Sequence, residues 1–151
     1  MILAVVLDSG PLSLAASRRG KSADVDACKR WIAQQPRAGR RVYVPEIADY
    51  EVRRELLRAR KTASIARLDI VKRDAYYLPI TTEIMLKAAA LWADVRLRGL
   101  STADPHALDG DAILAATVLS LGLAREEVIV ATTNVGHLTR FVEADLWSNI
   151  V

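Results

Sequence analysis

The segment of residues 107–119 most limits the folds open to this chain. It reads A-L-D-G-D-A-I-L-A-A-T-V-L, with Asp109 and Asp111 near its start and apolar or small residues on every side thereafter. A helix that is apolar all round is buried inside a protein. The segment therefore predicts a buried helix with Asp109 as its N-cap, Gly122 as its stop, and two carboxylates at its entrance.

Alternating apolar runs and amphipathic segments surround this helix. Residues 2–7 form a continuous apolar run that ends at Asp8, as in a central parallel strand buried on both faces. Further strands are predicted at 42–44, 76–80 and 128–131, with a short edge strand within 141–151. Helices are predicted at 12–19, 24–35, 45–60, 62–74 and 83–98, and a loop at 100–108. This alternation predicts one domain, residues 1–151, folded as a three-layer α/β/α sandwich with a mainly parallel central sheet.

The charge is divided unevenly between the two halves of the chain. Residues 1–75 contain 16 Lys and Arg against nine Asp and Glu, whereas residues 76–151 contain five against nine. A basic half beside an acidic half fits a polyanionic partner together with a cation site. A solvated basic surface without a partner accounts for the charge equally well.

Cysteine content and the amino-terminal run bear on the compartment. Cys28 is the only cysteine, so no disulfide can form within the chain, which suits a reducing compartment. The apolar run of residues 2–7 is too short for a signal peptide or a membrane span. We therefore expect a cytoplasmic protein with no membrane partner.

Several acids are predicted to meet at one end of the sheet. Ligands of open α/β sheets bind at the carboxyl ends of the strands, where Asp8 and the polar run from Thr132 to Asn134 fall. Asp111 can point into the same crevice, and Glu51 lies on the apolar face of its helix, four residues after Ile47. Three clustered carboxylates repel one another unless a cation is present, and all-oxygen ligands suit Mg²⁺ or Mn²⁺.

Each acid also has a purely structural explanation. Asp8 can cap the helix that follows it. Glu51 can pair with Arg54 or Arg58, and Asp109 and Asp111 can simply favour the positive end of a helix dipole.

Four motifs in order make the sequence similar to a known family. They are V-V-L-D-S at residues 5–9, P-E-I-A-D-Y-E-V-R-R at 45–54, L-D-G-D-A-I-L-A-A at 108–116 and V-A-T-T-N-V at 130–135. The set resembles the PIN domain and, within it, the VapC-type toxins of prokaryotic toxin–antitoxin pairs.

The resemblance implies a function and a set of site residues. Asp8, Glu51 and Asp111 match the family's metal-binding acids, and Asn134 matches its fourth catalytic position. Ser9, Thr132 and Asp109 are possible additional contributors. The implied activity is Mg²⁺- or Mn²⁺-dependent endoribonuclease cleavage of RNA by a homodimer that a cognate antitoxin inhibits. The candidates for RNA contacts are Arg18, Arg19, Arg53 and Arg54.

One departure from the family pattern keeps a second function open. Relatives often carry an acid after the T-x-N motif, but this chain has Gly136 and His137. The alternative is an RNA-binding or protein-interaction module with weak or no catalysis. A phosphatase that uses Asp8 as nucleophile is disfavoured, because Gly10 occupies the place of its usual second acid. No phosphate-binding G-x-x-x-x-G-K loop is present.

Overall fold

A five-stranded, wholly parallel sheet forms the centre of the computed structural model, which describes residues 1–99 and 104–151. The strand order is β3-β2-β1-β4-β5, and every neighbouring pair runs parallel. The strands are β1 (Ala4–Leu7), β2 (Arg41–Pro45), β3 (Tyr76–Leu78), β4 (Val128–Thr132) and β5 (Ala144–Leu146).

Helices cover both faces of this sheet. They are α1 (Ser9–Ala16), α2 (Ala23–Gln34), α3 (Glu46–Arg58), α4 (Thr62–Asp74), α5 (Thr82–Leu97) and α6 (Pro105–Leu119). Helices α1 to α4 contribute to the core on one face, and α6 packs on the other with α5 against it. The predicted three-layer α/β/α sandwich is confirmed.

Strand β1 has no polar position because it is buried on both faces. Val5 and Leu7 point into the core beneath α1 to α4, while Ala4 and Val6 point into the core beneath α6. All four side chains are buried, because alternate residues of a strand face opposite sides and helices cover both sides here. A continuous apolar run is the result.

The strand order reverses direction at β1. From β1 the chain proceeds to β2 and β3 on one side, and later to β4 and β5 on the other. The carboxyl ends of β1 and β4 therefore border the switch point at which open α/β sheets form their ligand crevice. Asp8 follows β1 directly, and Thr132 is the last residue of β4.

Two predicted helix starts, those of α1 and α6, are wrong by three residues or more, and α3 begins one residue after the predicted Pro45. Helix α6 begins at Pro105 with Asp104 as its N-cap, so Asp109 lies inside the helix and the predicted loop is partly helical; residues 100–103 lie outside the described residues. Pro at the first turn and a capping acid before it outcompete the later Asp109. Pro45 ends β2 and caps α3. Helix α1 begins at Ser9, immediately after β1.

No helix within the described residues has the length and apolar content needed to cross a bilayer.

Candidate active site at the carboxyl end of the sheet

Asp8 is held in place from two sides. The Thr132 hydroxyl donates a hydrogen bond of 2.8 Å to Asp8 Oδ2, and the Ser9 backbone N–H donates one of 2.8 Å to Oδ1. The first bond joins the ends of two neighbouring strands, and the second caps α1. Asp8 is therefore a helix cap, as its structural explanation predicts, and it also stands at the switch point of the sheet.

The turn after β4 carries Asn134 to the same place. The Asn134 backbone N–H donates to the Thr132 hydroxyl oxygen over 3.1 Å, which closes a short turn of the type that Ser and Thr stabilise. Thr132 is 1% exposed, so its hydroxyl has little access to water and connects the Asn134 turn to Asp8. Asn134 itself is exposed and available to a ligand.

Gly10 allows the two segments to approach. A Cβ added to Gly10 would overlap the Thr133 side chain, with Thr133 Cβ only 2.8 Å away. The first turn of α1 thus packs directly against the turn after β4. The sequence alone gave no reason to place Gly10 in this site, because its partner lies more than a hundred residues along the chain.

Glu51 differs from the other acids of α3. Glu46 accepts hydrogen bonds from the Tyr77 hydroxyl and the Ile80 N–H, Asp49 pairs with Arg53, and Glu55 pairs with Arg58. Glu51 has no hydrogen bond or ion pair among the described residues, and it is half-buried. Of the two arginines considered as alternative partners of Glu51, Arg58 pairs with Glu55 instead, and Arg54 lowers the pKa of Glu51 without forming an ion pair with it.

Helix α6 meets Glu51 at a glycine. A Cβ on Gly110 would lie 3.7 Å from both carboxylate oxygens of Glu51. Gly110 therefore lies beneath the Glu51 carboxylate, and Asp111 is the next residue on α6. Asp111 likewise has no hydrogen-bond or ion-pair partner in the part of the chain that the structure describes.

The carboxylates of Asp8, Glu51 and Asp111 act on one another electrostatically. Burial, then the charge of Asp8, raises the pKa of Asp111 from 3.8 to about 6, and His137 opposes this rise. Burial, Asp8 and Asp111 raise the pKa of Glu51, and Arg54 opposes that rise. Both acids thus have the perturbed pKa values that mark functional sites, with burial as the main cause.

The donor set fits a hard cation. All the groups are carboxylate, hydroxyl or amide oxygens, which are ligands of Mg²⁺ and Mn²⁺. Within residues 1–99 and 104–151 no three His, Cys, Asp or Glu side chains are drawn together as a finished metal-ligand cluster.

Asp109 and the four candidate arginines differ in their surroundings. Asp109 is exposed, 3.8 Å from His106 Nδ1, and lines a groove between α5 and α6. Arg18 and Arg19 follow the far end of α1, roughly 12 Å along the helix from Asp8. Arg53 is bound to both Asp49 and Asp69. Of the four arginines considered for RNA contacts, Arg54 is the one whose charge reaches Glu51.

Comparison with known proteins supports this description of the fold. The family model for the PIN domain matches residues 5–136. The sequence shows no significant match to a curated protein.

Solved structures with the same fold share little sequence with this chain. VapBC2 from Rickettsia felis, bound to a DNA fragment from their promoter, superposes with a TM-score of 0.73 at 12% identity, covering 96% of this chain and 99% of that one. VapBC-1 from nontypeable Haemophilus influenzae gives 0.65 at 16%, covering 97% and 100%. FitAcB from Neisseria gonorrhoeae gives 0.61 at 18%, covering 97% and 99%.

At these identities the superpositions describe the fold alone. The family model covers most of the chain and includes Asp8, Glu51, Asp111 and Asn134. The chain belongs to the PIN domain family.

Proposed function

We propose that this protein is a metal-dependent endoribonuclease that cleaves RNA phosphodiester bonds. The observation that carries the proposal is that Glu51 and Asp111, at the switch point of the sheet, both have raised pKa values, caused first by burial and then by the charge of Asp8. Two of these acids have no partner among the described residues, although every other acid of α3 has one. An unpaired, half-buried carboxylate is costly, and a bound cation removes that cost.

Under this proposal each residue has a separate task. Asp8, Glu51 and Asp111 would hold Mg²⁺ or Mn²⁺, which when bound activates water and neutralises charge on the phosphate. The Thr132 hydroxyl fixes the direction of the Asp8 carboxylate. Asn134 supplies an exposed amide that can orient the substrate. Ser9 follows Asp8 at the start of α1 and is a further candidate for a substrate contact. Asp109 is exposed and lies 3.8 Å from His106 Nδ1, and we do not include it among the ligands of the proposed cation site.

The biological setting is part of the proposal. The superposed structures include toxin–antitoxin assemblies by name, VapBC2 and VapBC-1. We place this chain with the VapC-type toxins, acting in the cytoplasm as a homodimer that a cognate antitoxin inhibits. Expression of the chain alone should stop cell growth, and co-expression of a small protein encoded beside it should restore growth. Unimpaired growth on expression of the active protein would contradict the toxin assignment.

Substitution of matched glutamates tests the nuclease activity. Glu51→Gln should lower Mn²⁺-dependent cleavage of a labelled RNA by more than about 100-fold, since loss even of an outer-sphere partner of a metal costs about 10–100-fold. Glu55→Gln, one turn further along α3 on the solvent side, is the control and should cleave like the wild type. EDTA should abolish cleavage. Equal activity of Glu51→Gln and wild type would overturn the assignment.

One observation favours a second function, a module that binds RNA or protein with little catalysis. His137 stands where relatives often carry an acid, and it is close enough to Asp111 to oppose the rise of the pKa of that residue. One acid fewer weakens the hold on a second cation. RNA that binds to the protein but stays intact with both Mg²⁺ and Mn²⁺ would favour this module over the nuclease.

A further inference from the structure

An exposed aromatic side chain adjoins the acidic site. Tyr50 immediately precedes Glu51 on α3, and 55% of its surface is accessible. Among the described residues its hydroxyl has no hydrogen-bond partner. The contact of its ring is with Arg54, whose guanidinium carbon lies 5.1 Å from the ring centroid. The fold therefore does not use this tyrosine for its core.

Arg54 connects the aromatic ring to the acids. It lies three residues after Glu51 on α3, so the two side chains are neighbours on one side of the helix. In the part of the chain that the structure describes, Arg54 makes no ion pair with an acid, whereas Arg53 beside it is bound to Asp49 and Asp69. Neighbouring arginines on one helix thus have different uses, and Arg54 keeps its charge available to a ligand.

The outer surface of α3 continues this pattern away from the acids. Tyr50, Arg54 and Leu57 recur at intervals of four and three residues, so they form one stripe, and Lys61 follows just beyond the end of the helix. All four side chains are exposed. Cations alternate with apolar groups along the stripe, as on surfaces that bind single-stranded nucleic acid by stacking bases and attracting phosphates. The stripe lacks a contiguous apolar patch of the kind that marks many protein-docking surfaces.

We infer that Tyr50, supported by Arg54, stacks an unpaired base of the RNA beside the phosphate that the acids receive. This inference rests on the proposed nuclease function and assigns to it a residue that contacts a base. A base in a duplex has both faces covered by its neighbours, so it cannot lie on an aromatic ring. Tyr50 is thus a specificity-determining residue that contacts substrate, and Arg54 positions its ring and attracts the backbone.

Abasic substitution in the RNA tests this contact directly. The probe is a fluorescent single-stranded oligoribonucleotide that the wild type cleaves at one site. A set of abasic versions lacks one base each, at successive positions. Binding of each RNA to the protein is measured in EDTA by fluorescence anisotropy. Removal of the stacked base should weaken binding of the wild type by about 5- to 150-fold at one position next to the cleavage site. Tyr50→Leu should bind the intact RNA about as weakly as the wild type binds the abasic RNA. Removal of the base at that position should not weaken the binding of Tyr50→Leu further. Tyr50→Phe should bind like the wild type.

Tyr76 provides a matched control. It is also 55% exposed and lies under an arginine, with Arg41 Cζ 5.5 Å from its ring centroid, but both residues open their strands at the opposite end of the sheet. Tyr76→Leu should bind every RNA like the wild type.

The outcomes separate this inference from the proposed function. Equal sensitivity of Tyr50→Leu and wild type to the abasic positions, or equal cleavage of duplex and single-stranded RNA, would overturn the stacking inference while leaving the nuclease intact. Loss of antitoxin binding by Tyr50→Leu, with RNA binding unchanged, would overturn it in favour of a protein surface. Failure of the nuclease itself would appear separately, as wild-type protein that does not cleave RNA with Mn²⁺.

Discussion

At the scale of single residues, the site depends on which polar group has a partner inside the protein. On α3 the acids Glu46, Asp49 and Glu55 are satisfied by neighbours, and their roles are structural. Glu51 is left without a partner among the described residues and has a raised pKa. An unpaired, half-buried carboxylate lowers stability, and such unfavourable groups cluster at functional sites. A bound ligand is therefore the expected partner of Glu51.

Substitution of Thr132 tests how far activity depends on the orientation of the Asp8 carboxylate. Thr132→Val keeps the shape of the side chain but removes the donor to Asp8 and the acceptor for Asn134 N–H. We expect a loss of about 1–3 kcal/mol in the free energy of unfolding, measured by urea denaturation, because the Asp8 carboxylate and the Asn134 N–H lose partly buried hydrogen bonds. Cleavage should fall while RNA affinity changes little.

Thr117 gives the control for Thr132. It is equally buried, and its hydroxyl bonds to the Ile113 carbonyl within α6. Thr117→Val should leave cleavage at the wild-type rate even if it changes stability. Cleavage that falls equally in both variants would show that lost stability, and not the direction of Asp8, limits the activity.

At the scale of elements, the site depends on the close approach of the α1 start to the turn after β4. The contact is made at Gly10, where a Cβ would overlap the Thr133 side chain. Strand pairing places these two segments side by side, since β1 and β4 are neighbours with Leu7 opposite Ala131. A larger residue at position 10 would push Asp8 and Asn134 apart.

Gly10→Ala should therefore damage both stability and metal binding. We expect a loss of about 1–3 kcal/mol in the free energy of unfolding from overpacking, together with weaker Mn²⁺ binding in calorimetry. Ser13→Ala, at an exposed position of the same helix, should leave both unchanged. Wild-type Mn²⁺ affinity in Gly10→Ala would indicate that the site does not depend on this contact.

At the scale of the whole molecule, the acidic site makes stability depend on pH. The pKa of Asp111 is raised from 3.8 to about 6, so between these values the folded chain binds more protons than the unfolded chain. Stability contributed by Asp111 is then present below about pH 4 and is lost as the pH rises through 6. The metal-free protein is thus destabilised at neutral pH by the groups that would bind the cation.

Removing this charge should reverse the effect. In EDTA, Asp111→Asn should unfold at a higher urea concentration than the wild type at pH 7, and the difference should shrink toward pH 4. Addition of Mn²⁺ should stabilise the wild type more at pH 7 than at pH 5 and should stabilise Asp111→Asn less at both. A difference between the two proteins that stays constant from pH 4 to 7 would contradict a raised pKa.

The sequence by itself determined the layers and the strand that precedes the site. Because both faces of the sheet are buried, residues 4–7 form a continuous apolar run, and the polar residue that ends the run lies at the carboxyl end of the strand. Such local periodicity predicts the fold class. Because ligands of open α/β sheets bind at the carboxyl ends of the strands, it also predicts that Asp8 lies close to the end of β4. Periodicity does not determine where a helix starts, as Asp104 shows, because several acids near one apolar segment compete to cap it.

Only the tertiary structure decided which charges are used inside the protein and which remain for a ligand. Arg53 and Arg54 are adjacent and chemically identical, yet one is bound to Asp49 and Asp69 and the other lies over Tyr50. Helix periodicity gives the direction in which each side chain leaves the helix axis. It does not give the residues of other elements that the side chain faces. That depends on how α3 packs against α4 and α6, and such contacts join residues far apart in the chain.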